Sequence, residues 1–291
     1  DGWIVGEDGV IFRWNGSAWS SVSSPTGDEL LSVSMSSASN GTAVGKNGRI
    51  IQWNGTSWST VVSPASEDLN SVFIVDSNTG YAVGGNGTIL EWNCASWLSM
   101  ASPTGEDLNQ VYMKTANDGW IVGNDGSLLR WDGSTWSSFV VNTSQTIYDL
   151  DMISSTSGFA VGGSGEFYGY DGWSWQLVND LGGDTIRAVD ALTASDAFAV
   201  GDSSKFYRWN GTSWSQTTDL GGNIIYDVKM ITSADGWAVG STNKIYRWNG
   251  SSWIEFVDVG GNNFFGVDFV DSNDVWAVGS SGKVYSYNGT S

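Results

Sequence analysis

The sequence predicts an all-β chain in which one four-stranded unit recurs, and three observations predict it. The dipeptide Val-Gly ends at Gly6, Gly45, Gly84, Gly123, Gly162, Gly201, Gly240 and Gly279, always 39 residues apart with no insertion or deletion. An aromatic keeps the same interval at Trp14, Trp53, Trp92, Trp131, Tyr170, Trp209, Trp248 and Tyr287, and a second Trp follows five residues later in the copies from Trp19 to Trp253. Finally, 18 Trp and 39 Gly against 3 Pro, with no long run of 3.6-residue apolar period, suit short strands joined by Gly-rich turns.

Each unit reads as strands a to d. In the copy that begins at Gly222, strand a is "IIYDVKMI", strand b "GWAVG", strand c "KIYRWN" and strand d "SSWIEFVD", all rich in β-branched or aromatic residues. The b to c joints "GEDG", "GKNG", "GGNG" and "GNDG" and the c to d Asn-Gly or Asp-Gly joints predict tight type I′ hairpins, whose two central residues need positive φ. In strand a, Val33, Val72, Val111, Leu150, Val189, Val228 and Val267 share a phase with the residue two further on, which predicts the face that packs on the neighbouring unit. The recurrent Trp residues of strands c and d are predicted to pack between units as well.

Four antiparallel strands in about 40 residues make a propeller blade. The stretch "DGWAVGSTNKIYRWNGSSW" (Asp235 to Trp253) resembles the bacterial neuraminidase-repeat propellers, and among them the photosystem II assembly factor-like branch, over the whole chain. The turn "WDGSTW" (Trp131 to Trp136) is one residue shorter than that family's Asp box, and most copies carry Asn for Asp. The resemblance implies the fold; such propellers serve as enzymes, assembly factors and binding modules, so it implies no single activity.

Seven periods leave 18 residues over, and residues 1–18 duplicate the b and c pattern of 274–291. The expectation is one propeller domain over 1–291 with seven four-stranded blades, the last borrowing strand d from "WSSVSS" near the N-terminus so that the two termini mix. Eight blades are the alternative; at this period they need about 312 residues.

Composition narrows function. Twelve basic against 31 acidic side chains, net −19, oppose nucleic-acid and anionic-membrane partners, and no apolar run is long enough to span a membrane. The chain starts without Met or a signal-peptide pattern, which reads as a processed or excerpted chain. It has no His, which removes the usual general base and His-ligated zinc, and its single Cys94 stands where sister turns have Gly.

Four of the six Arg (Arg13, Arg130, Arg208, Arg247) share one strand c position in different units, so they do not form a sialidase-like triad. Asp149, Asp151, Asp190, Asp227 and Asp268 lie on strand a in the phase opposite the core. They are read first as groups that hydrate a central channel, with calcium binding or carboxylate-pair catalysis on a polysaccharide as alternatives. Asp28, Glu29, Glu67, Asp68, Glu106, Asp107 and Asp184, in the d to a connections, share a rim with Glu7, Asp8 and Asp125; they are read as a solubility device, with recognition of a basic partner or weak binding of divalent cations as alternatives. N-glycosylation sequons occur at Asn15, Asn54, Asn210, Asn249 and Asn288 in the c to d turn, and at Asn40, Asn86 and Asn142 elsewhere.

The function expected is a non-catalytic, extracellular or cell-surface propeller, with no cofactor, that binds a protein or glycan on a rim or serves for display. A self-assembling layer or fibre subunit joined through the surplus terminal strands is the alternative, and a polysaccharide-active enzyme the third.

Overall fold

The computed structural model describes residues 2–258 and 263–290. Among them the regular structure is β strand interrupted by seven single-turn 3₁₀ segments, and no helix is long and apolar enough to cross a membrane. The chain forms two compact units, Asp1–Ser144 and Gln145–Ser291.

Eight antiparallel sheets are present among the described residues, numbered blades 1 to 8 in chain order. This corrects the expected seven. Blade 1 holds Gly2–Val5, Ile11–Trp14 and Trp19–Ser21, and blade 8 holds Phe264–Asp271, Asp274–Gly279 and Lys283–Tyr287; the six between have four strands each. The expected mixing of termini also fails, because the first strand of "WSSVSS" pairs with its own neighbour, Trp14 opposite Trp19 and Phe12 opposite Ser21. The reason is loop closure. A four-residue turn returns strand d beside strand c at little entropic cost, whereas pairing with residues 274–291 closes nearly the whole chain. The b and c strands of residues 1–18 therefore belong to a blade of their own and are not surplus.

Blades 1 to 4 make up the first unit and blades 5 to 8 the second. In each unit the core lies between blades. Trp3, Tyr81, Phe159 and Phe198 on strand b are each clamped by the two Trp of the following blade: Phe159 sits 5.4 Å from Trp209 and 5.5 Å from Trp214, Tyr81 5.6 Å from Trp131 and 5.7 Å from Trp136. The first Trp also donates its indole N–H to the carbonyl fifteen residues earlier, as Trp53 to Ala38 (3.1 Å) and Trp209 to Ala194 (3.0 Å), which ties strand c to the a to b turn. Of the strand a positions predicted to face the next blade, the first is buried from Val72 through Val267; over the same blades the residue two further on is buried except at Ala191 and Phe269, which are half-buried.

The b to c joints are the predicted turns, with positive φ at both central residues (Asp8 55°, Gly9 69°) and Val10 N–H donated to the Glu7 carbonyl at 3.1 Å. The c to d joint differs from prediction. It is a four-residue loop with positive φ at Gly alone (Gly16 97°, Gly55 93°), and the Asn side chain supplies the rest: Asn54 Oδ1 accepts the Thr56 N–H (2.9 Å), the Ser57 N–H (3.0 Å) and the Thr56 hydroxyl (2.7 Å). The Val-Gly motif has a steric cause. A Cβ on Gly45, Gly84 or Gly201 would collide with the backbone carbonyl just ahead of strand a (Glu29, Asp68, Thr185).

Candidate functional site

The inner strands a of the second unit carry the acidic residues singled out in the sequence, on Ile147–Ser154, Ile186–Thr193, Ile225–Thr232 and Phe264–Asp271. Their carboxylates reach sideways to the next blade. Asp149 Oδ2 accepts the Val189 N–H (2.8 Å), Asp151 the Ala191 N–H (2.9 Å), Asp190 the Met230 N–H (2.7 Å) and Asp227 the Val267 N–H (2.8 Å), each forty residues on. Neighbouring strands a share no ladder, so these N–H groups would otherwise lack acceptors. Asp268 is exposed and accepts the adjacent Phe269 N–H at 2.9 Å.

Lys229, at the repeat position of Asp151 and Asp190, completes the group. Its ammonium lies 3.0 Å from Asp190 Oδ1. Burial alone would lower its pKa, but the charges of Asp190, Asp227 and Asp149 outweigh burial and raise it, so it stays protonated. Burial raises Asp149 to about 7 against the pull of the Val189 N–H and Lys229, and raises Asp227 to about 6 against Lys229 and the Val267 N–H. Asp151 is raised by burial first, with the charge of Asp190 adding to it. Among the described residues no three or more His, Cys, Asp or Glu side chains form a group able to hold a metal ion.

Beside this wall runs a row that the sequence reading missed. The second residue of strand a is Tyr148, Arg187, Tyr226 and Phe265 in blades 5 to 8, and Leu31, Asn70 and Asn109 in blades 2 to 4. The Arg187 guanidinium lies 5.7 Å from the Tyr148 ring and 5.9 Å from the Tyr226 ring, and Tyr226 meets Phe265 at 5.1 Å. The row is solvent-accessible, Phe265 being 50% and Tyr148 36% exposed. Asp202 pairs with Arg187 at 2.5 Å. Only alignment on the 39-residue period would have exposed this row, because its residue types differ from blade to blade.

The remaining sequence candidates are scattered. The rim carboxylates hold turns: Asp68 accepts the Asn47 N–H (3.0 Å) and pairs with Lys46, Asp107 accepts the Asn86 N–H (2.9 Å), Asp28 pairs with Arg49, and Asp184 with Lys205. The side-chain hydrogen bond from Arg49 holds Asp28 below its ordinary pKa, and that from Lys46 does the same for Asp68. Arg130, Arg208 and Arg247 pair within their own blades with Asp118, Asp196 and Asp235, and Arg13 lies over Trp3 and Trp53. The second Trp of the motif is buried from Trp58 to Trp253, so it offers no repeated sugar platform; Trp173, 87% exposed, stands alone in its turn. The sequon residues Asn15, Asn54, Asn86, Asn142, Asn210, Asn249 and Asn288 are exposed and Asn40 is half-buried. Cys94 is exposed and takes the positive φ of the turn Gly at 75°.

No family model matches the chain, and no curated protein matches it in sequence. Solved structures do match in shape. YCF48 bound to a D1 peptide is 18% identical with a TM-score of 0.71, covering 98% of this chain and 99% of its own. YCF48 from Cyanidioschyzon merolae gives 17%, 0.70, 94% and 99%, and the computationally designed Ika8 protein 16%, 0.80, 99% and 93%. The C-terminal WD40 domain of Sif2 follows at 10% and 0.78, over 98% and 91%. The fold is a β-propeller. The resemblance to photosystem II assembly factor-like propellers thus holds at the level of fold, with eight blades where the sequence reading expected seven.

Proposed function

We propose that the chain is a non-catalytic binding scaffold whose partner is a protein segment seated on the strand a ends of the second unit. The observation that carries this is the row of Tyr148, Arg187, Tyr226 and Phe265, joined side chain to side chain from blade to blade, with Tyr148 and Phe265 exposed and Arg187 and Tyr226 half-buried. Exposed aromatic surface of this kind is unfavourable in water unless something covers it. The absence of His, and the engagement of the raised carboxyls of Asp149 and Asp227 as acceptors for backbone N–H groups, support a role without turnover. A propeller of similar fold holding a peptide makes a peptide partner the first to test. An extracellular or cell-surface setting fits the acidity and the exposed sequons.

The test is to pan a random peptide library and a glycan array against the purified chain. Enrichment of a peptide consensus is the expected result. Enrichment of glycans alone, or of nothing, refutes the reading.

A further inference from the structure

The geometry points to a Lys- or Arg-bearing peptide segment as the occupant of this face, its cationic side chains lying across the Tyr148 to Phe265 row with their charges toward the acidic wall. The inference rests on the binding reading above and adds the chemistry of the partner.

Charge complementarity decides it. Tyr148 and Tyr226 are followed directly in the chain by Asp149 and Asp227, and Asp151, Asp190 and Asp268 lie two residues further along their strands' pattern. Against these five carboxyl groups, of which burial raises Asp149 to about 7 and Asp227 to about 6, the wall sets one cation, Lys229, while Arg187 of the row is balanced by Asp202. The local excess is negative, as is the whole chain at −19, so a cationic segment is drawn in and an anionic one repelled.

The face already shows how such side chains are held. The Arg187 guanidinium rests between two tyrosine rings at 5.7 and 5.9 Å, and the Lys229 ammonium sits on a carboxylate at 3.0 Å. Phe265 is half exposed with Tyr226 against its ring, and the neighbouring Asp268 is exposed too, so this end of the row offers both contacts to an incoming side chain. Tyr226 and Phe265 are inclined at 57°, which leaves an angle between the rings in which a cationic stem can lie. In the first unit Leu31, Asn70 and Asn109 hold the row's positions, Asn70 Nδ2 is spent on the Leu108 carbonyl at 2.9 Å, and the one aromatic pair described between its strands a, Phe73 with Tyr112, stands at the repeat positions of Asp151 and Asp190 instead.

The experiment measures fluorescence anisotropy of a short fluorescein-labelled Gly-Arg repeat peptide, with a Gly-Glu repeat of equal length and cellohexaose as comparisons. The Gly-Arg peptide is expected to bind saturably and to weaken steeply with added salt. Phe265→Ser alone, and with Tyr226→Ser, should weaken it, the double change by about tenfold. Leu31→Ser in the first unit should leave binding unchanged. Phe265 is exposed and Tyr226 half-buried, and an unaltered melting midpoint identifies folded variants. Equal binding of the Gly-Glu peptide, full affinity in both row variants, or displacement by cellohexaose overturns the inference. Library peptides that lack Lys and Arg yet bind overturn it while leaving the binding reading intact; failure of both the library and the Gly-Arg peptide overturns the two together.

Discussion

The two units solve the same packing problem with different chemistry. In the first, hydroxyls join successive strands a: Ser32 Oγ accepts the Val72 N–H (3.2 Å), Ser34 the Ile74 N–H (2.9 Å) and Ser71 the Val111 N–H (3.2 Å). In the second, carboxylates occupy these places with contacts of 2.7 to 2.9 Å, and a lysine sits among them. Charge-assisted bonds are shorter and stronger, but a half-buried carboxylate costs desolvation that a hydroxyl avoids. A fold that can be held by serine does not need aspartate there. The charge in the second unit therefore points to a use beyond holding blades together.

The d to a connections differ in parallel. Pro25, Pro64 and Pro103 follow strand d in blades 1 to 3, where strand d spans three or four residues; Leu-Gly-Gly or Val-Gly-Gly follows it in blades 5 to 7, where it spans six. The longer strands make their own links, Asn179 Oδ1 accepting the Trp214 N–H (3.1 Å) and Thr218 Oγ1 the Trp253 N–H (3.3 Å). The proline connections press a carbonyl onto the second residue of the b to c turn. Gly48, at φ 66°, would drive a Cβ into the Ala65 carbonyl, whereas Ser204 holds the same position at φ 52° and uses its hydroxyl on Asn223.

The comparison can be broken most severely at Asp190. Asp190→Ala removes the acceptor for Met230 and the partner of Lys229, and should cost about 3 kcal/mol in chemical denaturation. Loss under 1 kcal/mol, an order-of-magnitude bound, would mean that the charged wall carries no structural weight. Next, Gly48→Ser should cost about 2 kcal/mol, because it forces a side chain into left-handed backbone and a carbonyl. Ser204→Gly should cost about 1 kcal/mol, and equal losses at the two sites would erase the distinction between connections. Ser71→Ala, which takes one neutral acceptor from the Val111 N–H, should also cost about 1 kcal/mol.

The subtlest separation is in pH. Asp149 and Asp227 bind protons more tightly folded, at about 7 and about 6, than unfolded, at an ordinary 3.8. Their contribution to stability is therefore full below the unfolded value and is lost as pH rises through the folded ones. Hydrogen-exchange protection of the Val189 and Val267 amides should rise as pH falls from about 8 to about 5. That of Val72 and Val111, bonded to hydroxyls, should stay level. Parallel curves in the two units would contradict the assignment.

The repeat made the blade legible down to single positions. Val72 or Trp214 could be placed at an inter-blade face because strand period and unit period act on the same residues. The number of blades was not legible, since it depended on whether Trp19–Ser21 would pair locally or with a distant strand, a choice made by loop entropy and not by residue type. The acidic residues were placed on the correct phase of strand a, but their bonds run to the residue forty positions on. That offset comes from the stagger between blades. Lys229 and the Tyr148 to Phe265 row escaped for the opposite reason: nothing recurs there except position.

The staples also give each unit a direction. Where a Ser or Asp of one strand a takes a backbone N–H of the next strand a, the acceptor sits on the earlier blade and the donor on the later one, from Ser32 to Val72 and from Asp227 to Val267. Trimming a unit from its N-terminal side strips acceptors and leaves backbone N–H groups that cannot change state, whereas trimming from the C-terminal side leaves carboxylates or hydroxyls that water or a proton can satisfy. Truncation is thus an asymmetric injury, and shortened forms should survive the loss of their last blade better than the loss of their first.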